Sequence, residues 1–187
     1  LTQVTNTGDD DLGYSIVDWA GSDKLILSQY DTSDYEEYYF PEYVGQFVQT
    51  GATRRGVARQ IISVAHLDSS NVSQLYEKRG YVSTSVSADG NFLAIDAMGP
   101  PMEKRDIKVY NFDQSSWNTV FEDSTDGWLY GTEMEFAPKG QKLMFKSETD
   151  GWNHIYTVDP DGSNLQQHTD GSYEVPRVEW TGAHSMV

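Results

Sequence analysis

Cysteine is absent from the 187 residues. That excludes disulfides, a thiol nucleophile and Cys-ligated zinc, and leaves the compartment open. Positive charge is scarce: 13 Lys and Arg stand against 29 Asp and Glu, a net charge of −16. Such a chain repels nucleic-acid phosphates and anionic membrane surfaces, so no nucleic acid is expected as a partner. No apolar run reaches the ~18 residues of a membrane helix, so no membrane span is expected. The start, Leu1 followed by polar residues, has no signal-peptide pattern. His66, His154, His168 and His184 are scattered without metal-ligand spacing. No metal and no cofactor are expected.

Aromatics and glycine are plentiful. Aromatic content is 13%, with 12 Tyr and 5 Trp, and there are 16 Gly. Many aromatics, glycine-containing turns and short apolar runs favour an all-β protein.

An internal repeat organises these runs. WAGSDKLILS begins at Trp19, VSADGNFLAID at Val86 and FAPKGQKLMFKS at Phe136, and a fourth start, WTGAHSMV, begins at Trp180. Each has an apolar or aromatic residue, a polar turn and then an apolar strand. Asp89-Gly90 and Lys139-Gly140 supply the flexible backbone of a tight hairpin. Further strands follow at Gln60–Leu67, Asp106–Tyr110 and His154–Val158. In the second of these, Ile107 and Val109 alternate with Lys108 and Tyr110, as a half-buried strand would. Polar turns and one more short strand come after each.

Four-stranded propeller blades repeat every ~40–50 residues. The intervals between these starts fit, except that the first is longer by roughly 20 residues than that norm. The acidic, Tyr-rich stretch 30–59 accounts for the excess. The expectation is an all-β partial β-propeller of four-stranded antiparallel sheets, about three full blades. The boundaries read 1–13 for the end of a preceding blade, 14–79 for a blade with the insertion 30–59, 80–130 and 131–172 for two more, and 173–187 for the start of the next. Thr2–Thr5 reads as a last strand. Closed rings take about four to eight blades. The remaining blades are therefore expected elsewhere, or the chain completes itself by association, possible homo-oligomers included.

From Phe121 to Glu174 the chain resembles the propeller of the dipeptidyl peptidase IV branch of the prolyl oligopeptidase family. An acidic stretch and a Trp precede a blade strand. Then comes a segment matched by Ser147, Glu148, Asp150, Gly151, Trp152, His154, Ile155 and Tyr156. A hairpin at Asp161-Gly162 follows, and last HTDGSYEV, with Tyr173 where the family has Trp and His168 where it has Leu. The resemblance implies a propeller that covers a separate α/β-hydrolase domain, restricts access to short peptide substrates and in some members binds the peptide N-terminus with paired glutamates. The family's serine nucleophile sits on a Gly-x-Ser-x-Gly elbow. No such pentapeptide occurs here, so this chain alone is expected to be catalytically inert.

Glu36-Glu37 invites comparison with those paired glutamates, since two carboxylates hold an ammonium well. Their place inside the insertion favours an acidic surface loop. Arg54-Arg55 with Arg59 is the basic cluster, suited to a substrate carboxylate or to pairing with the acidic residues nearby. Glu148, Asp150, Gly151, Trp152, His154 and Tyr156 read as a structural motif, His154 with a ring nitrogen bonded to backbone or to a neighbouring blade. Trp128, Trp152 and Trp180 read as inter-blade core. Asp9-Asp10-Asp11 and DPDGSN at 159–164 hint at calcium, but the second lacks the downstream bidentate Glu of an EF-hand. Besides the peptidase propeller, a TolB-like protein-binding propeller and a carbohydrate-active propeller with funnel carboxylates fit the repeats.

Overall fold

The computed structural model describes residues 12–45, 47–69, 71–130, 133–139, 141–182 and 185–187. The expected strand 2–5, Asp9–Asp11, Gly140 and His184 lie outside the described residues. Every regular element described is a strand. The first sheet has the order β1 (Ser15–Ala20), β2 (Lys24–Asp31), β5 (Arg59–His66), β6 (Asn71–Arg79). Between β2 and β5 a separate hairpin pairs β3 (Glu36–Val44) with β4 (Phe47–Arg55). The second sheet runs β7 (Tyr81–Val86), β8 (Phe92–Met98), β9 (Lys104–Asn111), β10 (Ser116–Ser124). The third runs β11 (Met134–Phe136), β12 (Leu143–Ser147), β13 (His154–Val158), β14 (Gln166–Gln167). A last pair joins β15 (Trp180–Gly182) to β16 (Ser185–Met186). All pairings are antiparallel.

These sheets are propeller blades set face to face. The first strand of the second sheet, β7, touches both β1 and β11, so the first strands lie innermost. Blade two is therefore covered on both faces. Leu93, Ile95 and Ala97 pack with Ala20, Ile26, Ile62 and Val64 of blade one. Ala94, Ile107 and Val109 pack with Phe136, Leu143, Phe145 and Val158 of blade three. Alternation along β8 survives in direction but vanishes in polarity, because both faces are dry. Aromatic rings meet between the outer strands of blades one and two: Tyr76 lies 5.6 Å from Trp117 between centroids, and Trp117 lies 5.0 Å from Tyr110.

One ion pair lies inside this stack. Asp96 on β8 and Arg105 on β9 are both buried. Arg105 donates from Nε and Nη2 to the two carboxylate oxygens, each at 2.8 Å, and from Nη1 to the Lys146 carbonyl of blade three at 2.6 Å. Its guanidinium also lies 5.8 Å from the centre of the Phe145 ring.

Two tyrosines make folding sensitive to alkali. Burial, with Asp150 and Asp123 adding to it, pushes the Tyr156 hydroxyl from 10.0 up to about 12. Burial, with Asp106, does the same for Tyr76. The folded chain thus keeps protons that the unfolded chain releases near pH 10. This contribution to stability is complete below about pH 10 and is lost as pH rises through about 12. Urea midpoints are expected to drop between pH 9 and 11.5. Tyr156→Phe is expected to flatten that drop. At pH 7 it should cost little, because the buried Tyr156 hydroxyl has no hydrogen-bond partner. An unchanged slope in the variant would count against this assignment.

Candidate functional site

Antiparallel order sorts the loops onto two faces. One face carries the turns β1–β2, β7–β8 and β11–β12, with β5–β6, β9–β10 and β13–β14. The opposite face carries the β3–β4 hairpin, the β8–β9 and β12–β13 loops and the crossovers between blades. The sequence motif from Glu148 to Tyr156 opens onto this second face.

The motif folds as a clasp. The Gly151 N–H donates to the Glu148 carbonyl at 2.8 Å, and Gly151 has φ 98°, a conformation that glycine adopts without strain. Asp150 accepts from the Trp152 N–H at 3.2 Å and from the Gln167 amide at 2.6 Å. His154 is fully buried. Its Nε2 lies 3.0 Å from the Gly171 carbonyl, and its Nδ1 lies 3.0 Å from the Thr169 hydroxyl. A carbonyl only accepts, so Nε2 carries the hydrogen. The same hydroxyl accepts the Ile155 N–H at 3.1 Å. Tyr173 lies edge-on to the imidazole at 5.3 Å, and Glu174 accepts the Asn153 N–H at 2.8 Å. The HTDGSYEV element is thereby folded back onto the DGWNH turn.

Beside the clasp lies an acidic cleft of about 300 Å³ between the end of β10 and the β12–β13 turn. Asp123, Thr125, Trp128, Glu148 and Thr149 line it. Asp123 is held by the Ser147 hydroxyl at 2.8 Å. Trp128 is 73% exposed. This corrects the expectation of a core Trp: the residue sits in the irregular crossover after β10, where no strand turns it toward a neighbouring blade. Trp152 is also exposed, whereas Trp180 packs against the buried cluster of Met144, Ile155 and Val178. An exposed indole beside carboxylates suits an ammonium or guanidinium group. Among the described residues no group of three His, Cys, Asp or Glu is placed to hold a metal.

Glu36 and Glu37 are neighbours on β3, so their side chains leave opposite faces of the hairpin. Glu36 accepts from the Tyr38 hydroxyl at 2.9 Å and Glu37 from the Tyr39 hydroxyl at 2.8 Å. Across the hairpin they are opposite Arg55 and Arg54 respectively. Arg55 is exposed, and the Arg54 side chain lies outside the described set. The third arginine, Arg59, instead grips the buried Asp31, whose carboxyl this contact and Ser33 hold well below the usual range. The two glutamates therefore do not converge on one point. At 159–164, Asp159 is taken by Lys142 at 2.9 Å and Asn164 at 2.6 Å, and Asp161 caps Ser163.

The profile of the dipeptidyl peptidase IV (DPP IV) N-terminal region matches residues 14–185. The chain belongs to the dipeptidyl peptidase IV N-terminal region family. Solved structures agree on the fold. Dipeptidyl peptidase 4 of Porphyromonas gingivalis superposes with a TM-score of 0.70 at 16% identity, covering 95% of this chain and 29% of that one. A Bacteroides ovatus protein provisionally named dipeptidyl aminopeptidase IV gives 0.67 at 14% identity, covering 94% and 31%. The β-propeller domain of the Trilobed protease of Pyrococcus furiosus, described as having open velcro topology, gives 0.52 at 11% identity over 84% and 42%. This chain thus spans about a third of the length of the first two proteins. No curated protein matches its sequence.

Proposed function

We propose that this chain is the non-catalytic propeller portion of a dipeptidyl peptidase IV-like serine peptidase. It gates short peptides and helps to bind them for a separate α/β-hydrolase domain. The observation that carries this reading is the family match over 14–185. The absence of any Gly-x-Ser-x-Gly in the sequence supports assigning the chemistry to another domain. The cleft at Trp128 and Glu148 supplies what a peptide's free amine needs, a carboxylate beside an aromatic face.

The test uses the parent polypeptide, meaning this region with the rest of its reading frame, on unblocked Xaa-Pro chromogenic dipeptides. The expected result is hydrolysis by the parent and none by this chain alone. A silent parent, or an active isolated chain, overturns the reading. Within an active parent, Glu148→Gln is expected to raise KM for unblocked peptides about fivefold with kcat unchanged, the signature of lost uniform binding. N-acetylated peptides should not respond. Equal KM changes for both substrates would remove the cleft from the binding site and leave the family reading standing.

A further inference from the structure

The face remote from the clasp carries a second cleft, of about 500 Å³. It lies where the β9–β10 turn of blade two meets the β11–β12 and β13–β14 turns of blade three. That size falls within the ~300–1,000 Å³ usual for small-molecule sites.

Its walls are tied across the two blades. Asn118 donates to the Pro160 carbonyl at 3.4 Å, and Gln141 donates to Asp89 at 2.9 Å. Asn111 accepts the N–H groups of Asp113 and Gln114 at 2.9 and 3.0 Å, which fixes its amide plane. Lys142 holds Asp159 at 2.9 Å. These bonds use one end of each amide. Among the described residues the Asn111 NH2, the carbonyl oxygens of Asn118 and Gln141 and the whole Gln114 amide remain, a mixed set of neutral donors and acceptors. Charge is balanced as well. Lys139 and Lys142 stand against Asp159 and Asp161, in a chain that is otherwise strongly acidic. Phe92 and Pro160 add apolar surface.

We propose that this cleft binds a neutral oligosaccharide. Hydroxyl groups both donate and accept, and so match side-chain amides of either polarity. The C–H faces of a sugar ring match Phe92 and Pro160. Net neutrality of the lining disfavours ions of either sign. An extended peptide would instead seek a free strand edge to pair with, and this cleft is built chiefly from turns.

The experiment is amide NMR of this chain with maltotriose, cellotriose and N,N′,N″-triacetylchitotriose, each at about 10 mM, where millimolar affinity saturates. An alanine-proline tetrapeptide serves as control. At least one trisaccharide is expected to shift the side-chain NH2 signals of Asn111, Asn118 and Gln141. Gln114→Ala, at an exposed side chain with no internal partner, is expected to weaken that binding at least about fivefold without altering the rest of the spectrum, and Asn118→Ala more. Three sugars without effect, shifts confined to the opposite face, or shifts here produced by the tetrapeptide alone each overturn the proposal.

Discussion

Replacing Arg105 with alanine is expected to lower the unfolding free energy by about 3–5 kcal/mol. Arg105 is only 2% exposed and its partner Asp96 is fully buried. Once the guanidinium is gone, Asp96 keeps its place in β8 between two dry blade faces. Its carboxylate must then be protonated, draw in water or stay charged and unpaired, and each alternative is costly. The Lys146 carbonyl loses its 2.6 Å donor at the same time, and the link between blades two and three goes with it. Arg105→Lys keeps the charge without the planar fork that spans both oxygens, so an intermediate loss is expected. The pair Asp96→Leu with Arg105→Met should recover most of the deficit, because a filled apolar site no longer contains an orphaned charge. Guanidinium titrations followed by Trp fluorescence measure all four proteins. A single Arg105→Ala variant within ~1 kcal/mol of the parent would contradict this account, since that is the range of exposed pairs.

Gly90→Ala is the second large effect, about 2–4 kcal/mol. Gly90 has φ +72°, and a methyl group there would stand 2.0 Å from the Gly21 nitrogen and 2.6 Å from the Ala20 carbonyl carbon. These are backbone atoms of blade one, so no side chain can swing aside. The turn is also locked from within. Asp89 accepts the Asn91 N–H at 3.0 Å and the Ser87 hydroxyl at 2.6 Å, and the Gly90 N–H donates to the Ser87 carbonyl at 2.8 Å. Relief must come from separating the turns of blades one and two. Ala at Gly162 provides the comparison: its φ is +87°, but the nearest atom to a methyl there is the Thr119 carbonyl oxygen at 3.6 Å. It should carry only the strain of the left-handed backbone, roughly 1 kcal/mol. Equal losses at the two sites would show that conformational strain alone, and not blade contact, sets the cost.

The blade architecture was legible because its signals are local. Val86 and Phe136, which mark the repeat, end β7 and β11, and the strand read at 106–110 lies inside β9. Turn chemistry at Asp89-Gly90 and Asp161-Gly162 needs no tertiary information. What escaped the sequence depends on the neighbouring blade. Asp96 and Arg105 look like ordinary charged residues, and only the covering of both faces of blade two makes them a buried pair. The dryness of β8 on both sides likewise erases the polar half of its pattern. Trp128 departs from the core expectation because position outranks residue type: a Trp in a crossover has no sheet face to join. On the candidate site, sequence marked Glu148 and Gly151 but not Asp123 or Thr125, which reach the same cleft from another blade.

The proposed gating by the propeller is tested most directly by length dependence. The intact parent protein would be given an unblocked proline-containing peptide of increasing length, and finally the same sequence as the N-terminus of a folded domain. Product masses would be followed over time. Successive loss of N-terminal dipeptides is expected from the short peptides, falling to nothing when the sequence is attached to a folded domain too bulky to pass. Cleavage of the folded fusion at the rate of the free peptide, or cuts at internal positions without dipeptide release, would contradict it.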